Sequence, residues 1–159
     1  MDKPKFVYVT FIATTPEKLW KALTDGEFTR RYWAGIRWKS DWKVGSKVEC
    51  RFPDGRLGNS GVVLEFDPPR RLSYTWHVEF HAAMSKEPAS RVTYELQPDG
   101  EVVKLTLIHD QFEPGSVVYD GIREGWPGVL ASLKSFLETG SGLANMSEER
   151  LAAKLASMQ

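Results

Sequence analysis

His109 is the side chain whose place in the sequence says most about possible chemistry. In Leu105-Thr106-Leu107-Ile108-His109 it is in phase with Leu105 and Leu107, so it belongs on the apolar face of a strand. Two readings follow. An inward imidazole at the end of a cavity could orient a ligand or act as a general base. A strand-end histidine is more often simply hydrogen-bonded to backbone or to a neighbour such as Asp110. Asp110, Glu113, Asp120 and Glu124 add a run of carboxylates towards the last apolar segment. Paired carboxylates can divide acid–base work, although such a run more commonly marks a solvated face and suits a helix N-terminus. Glu124 stands apart because it adjoins the Gly125-Trp126 pair. His109 and Glu124 are therefore the candidate catalytic groups.

Other chemistries find little support. His77 and His81 are four apart, but the local pattern is a strand running into a loop, so they do not share a helical face. A zinc site would need further ligands at suitable spacing, and no metal is expected. Cys50 lies within an apolar alternation rather than beside a cationic group, and there is no Gly-x-Ser-x-Gly elbow or Gly-rich phosphate loop. No cofactor is implied.

The 159 residues are enough for one domain, burying roughly 70% of the unfolded surface. Lys plus Arg and Asp plus Glu both number 21, so the chain is formally neutral and has no general electrostatic attraction to nucleic acid or anionic membrane. No run approaches the ~18 apolar residues of a membrane span, and Met1-Asp2-Lys3-Pro4-Lys5 lacks a signal-peptide pattern. With a single cysteine, a cytoplasmic setting is the simplest expectation. Six tryptophans, five tyrosines and eight phenylalanines supply surface for a core or an aromatic-lined pocket.

The elements that must position these groups read in order. Phe6 to Ile12 is a first strand, and Thr14-Thr15-Pro16-Glu17 starts a helix reaching about Thr24. Glu27 to Trp33 reads as a second short helix. Pro53-Asp54-Gly55, Asp67-Pro68-Pro69 and Pro98-Asp99-Gly100 are turns in a meander. Its strands are Ser46–Phe52, Gly61–Phe66, Leu72–Glu79, Arg91–Gln97 and Val102–His109, alternating apolar and polar as half-buried antiparallel strands do. Ile122, Trp126, Val129, Leu130, Leu133, Phe136 and Leu137 then mark one face of a helix over 122–138. Gly121, Gly125 and Gly128 form a bare second stripe, each costing helix stability by about 1 kcal/mol relative to alanine. Such a stripe suits a helix lying over a cavity, and Pro127 should bend it near residues 123–127. Gly140-Ser141-Gly142 reads as a hinge. It leads to a helix capped at Ser147, whose Leu151, Leu155 and Met158 form an apolar stripe. The division is thus 1–139 for the main domain and 140–159 for a hinge and short amphipathic C-terminal helix. A helix so short must dock, on its own domain or on a second copy, and a homodimer to which the tail contributes is expected.

Several segments in order resemble one family. They include Thr14-Thr15-Pro16-Glu17-Lys18-Leu19-Trp20, the Tyr32-Trp33 pair, Asp41-Trp42-Lys43-Val44-Gly45, Glu65-Phe66-Asp67-Pro68-Pro69-Arg70-Arg71-Leu72 and Arg91-Val92-Thr93-Tyr94-Glu95-Leu96. Leu105-Thr106-Leu107-Ile108-His109 and Glu124-Gly125-Trp126 complete the set. Over about residues 5–138 the chain resembles bacterial relatives of the heat-shock-protein ATPase activator homologues, within the START and birch-pollen-allergen (SRPBCC) superfamily. Asp25-Gly26-Glu27 carries glycine where relatives usually show proline, and the tail from Gly140 has no evident family counterpart.

The resemblance implies that 1–139 is a START/SRPBCC-like ligand-binding domain of α+β helix-grip fold, a curved antiparallel sheet wrapped around a long C-terminal helix with an apolar cavity between. It implies a pocket formed by Trp33, Trp76, Tyr94, Leu107, His109, Trp126 and Leu130 that holds a small apolar or aromatic molecule. An enzyme of cyclase or hydrolase type using the same pocket is the alternative. A chaperone-partner module is a third reading, weakened because the eukaryotic activators couple this domain to a second one.

Overall fold

Seven strands and four helices account for most of the computed structural model, which describes residues 3–158. The order is β1 (Phe6–Ile12), α1 (Pro16–Thr24), α2 (Gly26–Tyr32), β2 (Arg37–Ser40), β3 (Lys47–Arg51), β4 (Leu57–Asp67) and β5 (Arg71–Val78). Then come β6 (Ser90–Asp99), β7 (Val102–Asp110), α3 (Val117–Thr139) and α4 (Glu148–Ser157). The strands form one antiparallel sheet in the order β1-β7-β6-β5-β4-β3-β2. Every strand except β1 neighbours its successor in sequence, and β1 closes the far edge against β7. The sheet curves around α3, and the fold is the α+β helix grip.

Local chemistry explains the helix boundaries. Thr15 caps α1 by accepting from Lys18 N–H, with Pro16 in the first turn. Asp25 likewise caps α2 by accepting from Glu27 N–H. The core lies between α3 and the inward residues of the strands, among them Leu72, Tyr74, Trp76, Val92, Tyr94, Leu96, Leu105 and Leu107. The lower half of α3 packs closely: Leu130 and Leu133 are buried, and Phe136 stacks on Tyr32 at 5.9 Å between ring centroids.

Three elements differ from the sequence reading. α3 begins at Val117, five residues before the apolar periodicity that marks it. Its N-terminus is held from a distance: Ser116 accepts from Tyr119 N–H, and the Glu87 carboxylate accepts from Val117 N–H at 2.9 Å. β4 starts at Leu57 rather than Gly61, because Gly58 and Gly61 are sites of close approach rather than a turn. A Cβ on Gly61 would fall 1.8 Å from the Thr75 carbonyl oxygen. β2 is a strand that the sequence reading leaves out. It pairs with β3 through Trp38 opposite Cys50. α3 itself runs unbroken through Pro127 to Thr139 and ends on Gly140 in the left-handed region.

The tail docks on its own domain. Leu143 N–H donates to Ser132 Oγ at 2.9 Å, and Ala34 N–H donates to the Met146 carbonyl at 3.0 Å. Leu151 and Leu155 pack, half-buried, against the core. Among the described residues no helix is long and apolar enough to cross a membrane.

Candidate functional site

Between the upper half of α3 and the sheet lies a cavity of about 810 Å³, within the range of small-molecule sites. The sheet side contributes Trp38, Cys50, Asn59, Trp76 and Val78, with Trp33 and Ile36 from the segment that follows α2. From α3 come Val118, Ile122, Glu124, Trp126 and Val129, together with all three glycines of the bare stripe. No atom lies within 4 Å of a Cβ built on Gly125, so this part of the helix faces open space, while Gly128 is touched by Met146 and Asn145 of the tail. Met146, Leu151, Leu155 and Met158 roof the cavity, with Arg150 and Lys154 among its lining.

Four tryptophans from the sheet, the segment after α2 and α3 form one aromatic cluster. Trp33 lies 5.3 Å from Trp126 and 5.4 Å from Trp38 between ring centroids. Trp76 lies 5.2 Å from Trp38 and 5.5 Å from Trp126. Aromatic rings at these separations are in favourable contact. A separate hollow of about 450 Å³ opens between α1 and β2, beside Trp20 and Trp42.

The pocket residues read from the sequence divide into two groups. Trp33, Trp76 and Trp126 line the cavity. Tyr94, Leu107, His109 and Leu130 are buried behind that lining. Tyr94 stands edge-on to Trp126 at 6.2 Å, and its hydroxyl meets that of Tyr74. Sequence reasoning missed Trp38, Asn59 and the roof. Trp38 and Asn59 lie on the stretches not read as strand, whereas the Leu151-Leu155-Met158 stripe signalled docking without its target.

His109 is fully buried, and both ring nitrogens are engaged. Nδ1 accepts from the Trp126 indole N–H at 3.0 Å. The ring proton therefore sits on Nε2, 2.8 Å from Ser90 Oγ, which accepts it. Burial lowers the His109 pKa to about 3. The imidazole is thus neutral and joins α3 to the sheet, with neither nitrogen left to take a proton from a guest.

Glu124 is exposed at the cavity lining. The other acids of its run are surface groups: Asp110 receives Arg91 in two bonds of 3.0 and 2.8 Å, Glu113 pairs with Lys3 and Asp120 lies near Arg123. His77 is held by Glu79 and by the Ser85 carbonyl, and its pKa is raised by the hydrogen bond to Glu79. Burial pushes the Cys50 thiol up to about 12, which removes it as a nucleophile. Among the described residues no cluster of His, Cys, Asp and Glu is arranged to hold a metal ion.

The tie at His109 has a pH signature. Unfolded, the imidazole takes a proton near its ordinary pKa of about 6.5, whereas the folded protein refuses it down to about 3. The unfolded state therefore binds more protons in that window, and stability falls as pH drops through it, by at most about 1.4 kcal/mol per unit. His109→Gln keeps an acceptor for Trp126 and a donor for Ser90 but does not titrate. Urea unfolding from about pH 7 down to about pH 5 should show a shallower loss in His109→Gln than in the parent. Parallel losses would contradict the assignment.

The matching family model, described as "Activator of Hsp90 ATPase homolog 1-like protein", covers residues 13–138. No curated protein matches the chain. Protein MLL2253 from Mesorhizobium loti is 28% identical with a TM-score of 0.72, over 85% of this chain and 97% of that one. The solution structure of the Aha1 dimer from Colwellia psychrerythraea is 19% identical with a TM-score of 0.72, over 87% and 99%. CalU16 from Micromonospora echinospora is 23% identical with a TM-score of 0.69, over 97% of this chain and 87% of its own. That last likeness extends past the end of the family model into the tail. The chain belongs to the family of proteins like the activator of Hsp90 ATPase homolog 1.

Proposed function

We propose that this domain binds a small apolar or aromatic molecule in the cavity between the sheet and α3, without chemistry of its own. The observation that carries this reading is the cavity's make-up: four indoles in mutual contact from the sheet, the segment after α2 and α3, room beside them at Gly125, and an apolar tail as roof. A guest there would lose water from most of its surface and gain aromatic contacts. The enzyme reading, with His109 and Glu124 as acid–base groups, has less support. His109 is neutral and doubly hydrogen-bonded, and it lies behind the lining.

The assembly we propose is a homodimer to which the tail contributes. Support comes from the Colwellia relative, whose structure is that of a dimer, and from the outer face of α4, where Ala152 and Ala156 are exposed. Removing residues 141–159 should halve the mass in solution, and an unchanged mass would remove the tail from that role.

N-phenyl-1-naphthylamine tests the binding itself. It should bind at about one site per chain with a blue-shifted, enhanced emission. Gly125→Leu should reduce that affinity at least about ten-fold by filling the cavity, while leaving thermal stability unchanged or slightly raised, because leucine favours helix over glycine. Dye affinity retained in a folded Gly125→Leu protein would overturn the reading.

A further inference from the structure

Four buried side-chain polar atoms among the described residues have no hydrogen-bond partner: Thr14 Oγ1, Trp38 Nε1, Asn59 Oδ1 and Trp76 Nε1. Three of the four belong to residues that line the cavity beneath α3, Trp38 also bordering the smaller hollow beside α1. The register explains why they are together. Trp38 is opposite Cys50, Cys50 opposite Asn59, and Asn59 opposite Val78, so these side chains form a row across β2, β3, β4 and β5 on one face of the sheet. Trp76 is two residues before Val78 on the same strand and shares that face. Exposure is 3% for Trp38 and 8% each for Asn59 and Trp76.

Folded proteins leave few buried polar atoms unpaired, since each such group carries the cost of its lost hydration. The contrast with neighbouring Trp126 is informative: its indole N–H has a protein acceptor in His109, whereas those of Trp38 and Trp76 have none. An indole N–H only donates, so its partner must be an acceptor, while an amide oxygen only accepts, so its partner must bring a donor. On the proposed ligand-binding reading, which this rests on, we infer that the guest is an aromatic or polycyclic molecule with a carbonyl-type oxygen. That oxygen is received by the N–H groups of Trp38 and Trp76, and a hydroxyl or N–H on the same molecule answers Asn59. The ring system lies against the indoles, which are 5.2 Å apart between centroids. A plain hydrocarbon chain satisfies none of the three atoms.

Fluorene and 9-fluorenone share one tricyclic shape and differ by a single carbonyl, so equilibrium dialysis of the full chain against each isolates the polar contribution. The parent should prefer 9-fluorenone by at least about five-fold, the worth of one neutral hydrogen bond. Trp38→Phe and Trp76→Phe remove an N–H each but keep an aromatic ring. In each the preference should shrink, and in the double variant it should approach unity, with fluorene affinity reporting any loss due to the smaller ring. Equal affinity of the parent for the two compounds would overturn the inference and leave the binding reading standing. A preference that persists in the folded double variant would also overturn it. Failure of either compound to bind the parent, or to compete with N-phenyl-1-naphthylamine, would count against the binding reading as well.

Discussion

The hydrogen bond from the Trp126 indole to His109 Nδ1 is the constraint around which the upper half of the molecule is arranged. A curved sheet with an apolar concave face must be covered, and α3 covers it, but close packing along the whole helix would leave no room for a guest. The two halves of α3 solve this differently. Below, Leu130, Leu133 and Phe136 press onto the sheet and onto Tyr32. Above, a bulky indole reaches down to a polar group on β7, while the glycines beside it withdraw side-chain volume from the space around it. An indole N–H needs an acceptor when buried, and a neutral imidazole backed by Ser90 supplies one without burying a charge. The same bond that fixes helix to sheet takes His109 out of acid–base chemistry.

The tail completes the enclosure. Residues 142–146 are fastened to α2, the segment after it and α3, with Gly142 pressed against Ser132 Oγ and the Arg31 carbonyl. Beyond Ser147 the hydrogen bonds of α4 are internal to the tail, and it is held to the body by Glu148 lying against Gly35 and by the half-burial of Leu151 and Leu155. An amphipathic helix of ten residues has little stability by itself, so its order depends on this apolar contact.

Much of this arrangement was legible in the residues. Period-two alternation identified the inward faces of β5, β6 and β7, and the glycine stripe pointed to open space beside a helix, which the structure has at Gly125. The strand read from Gly61 begins earlier, at Leu57, because Gly58-Asn59-Ser60 lacks the apolar alternation that marks a strand. Gly58 is there because Cys50 and Phe52 approach it, and Gly61 because Thr75 does. That misreading removed Asn59 from the candidate set, and the brevity of β2 removed Trp38. The partners of His109 were beyond reach for a different reason. Ser90 and Trp126 are 19 and 17 residues away in sequence, and no periodicity links an imidazole to a specific indole across a fold. Phase could say that His109 points inward but not whether a guest or a neighbouring side chain meets it there.

Indole N–H resonances offer the most direct test that the space beneath α3 is the binding site, because the tryptophans are distributed between two hollows. With saturating N-phenyl-1-naphthylamine, the indole signals of Trp33, Trp76 and Trp126 should shift in a ¹H–¹⁵N spectrum. Those of Trp20 and Trp42, beside the hollow between α1 and β2, should stay in place. Shifts confined to Trp20 and Trp42, or no shifts at all, would contradict the account.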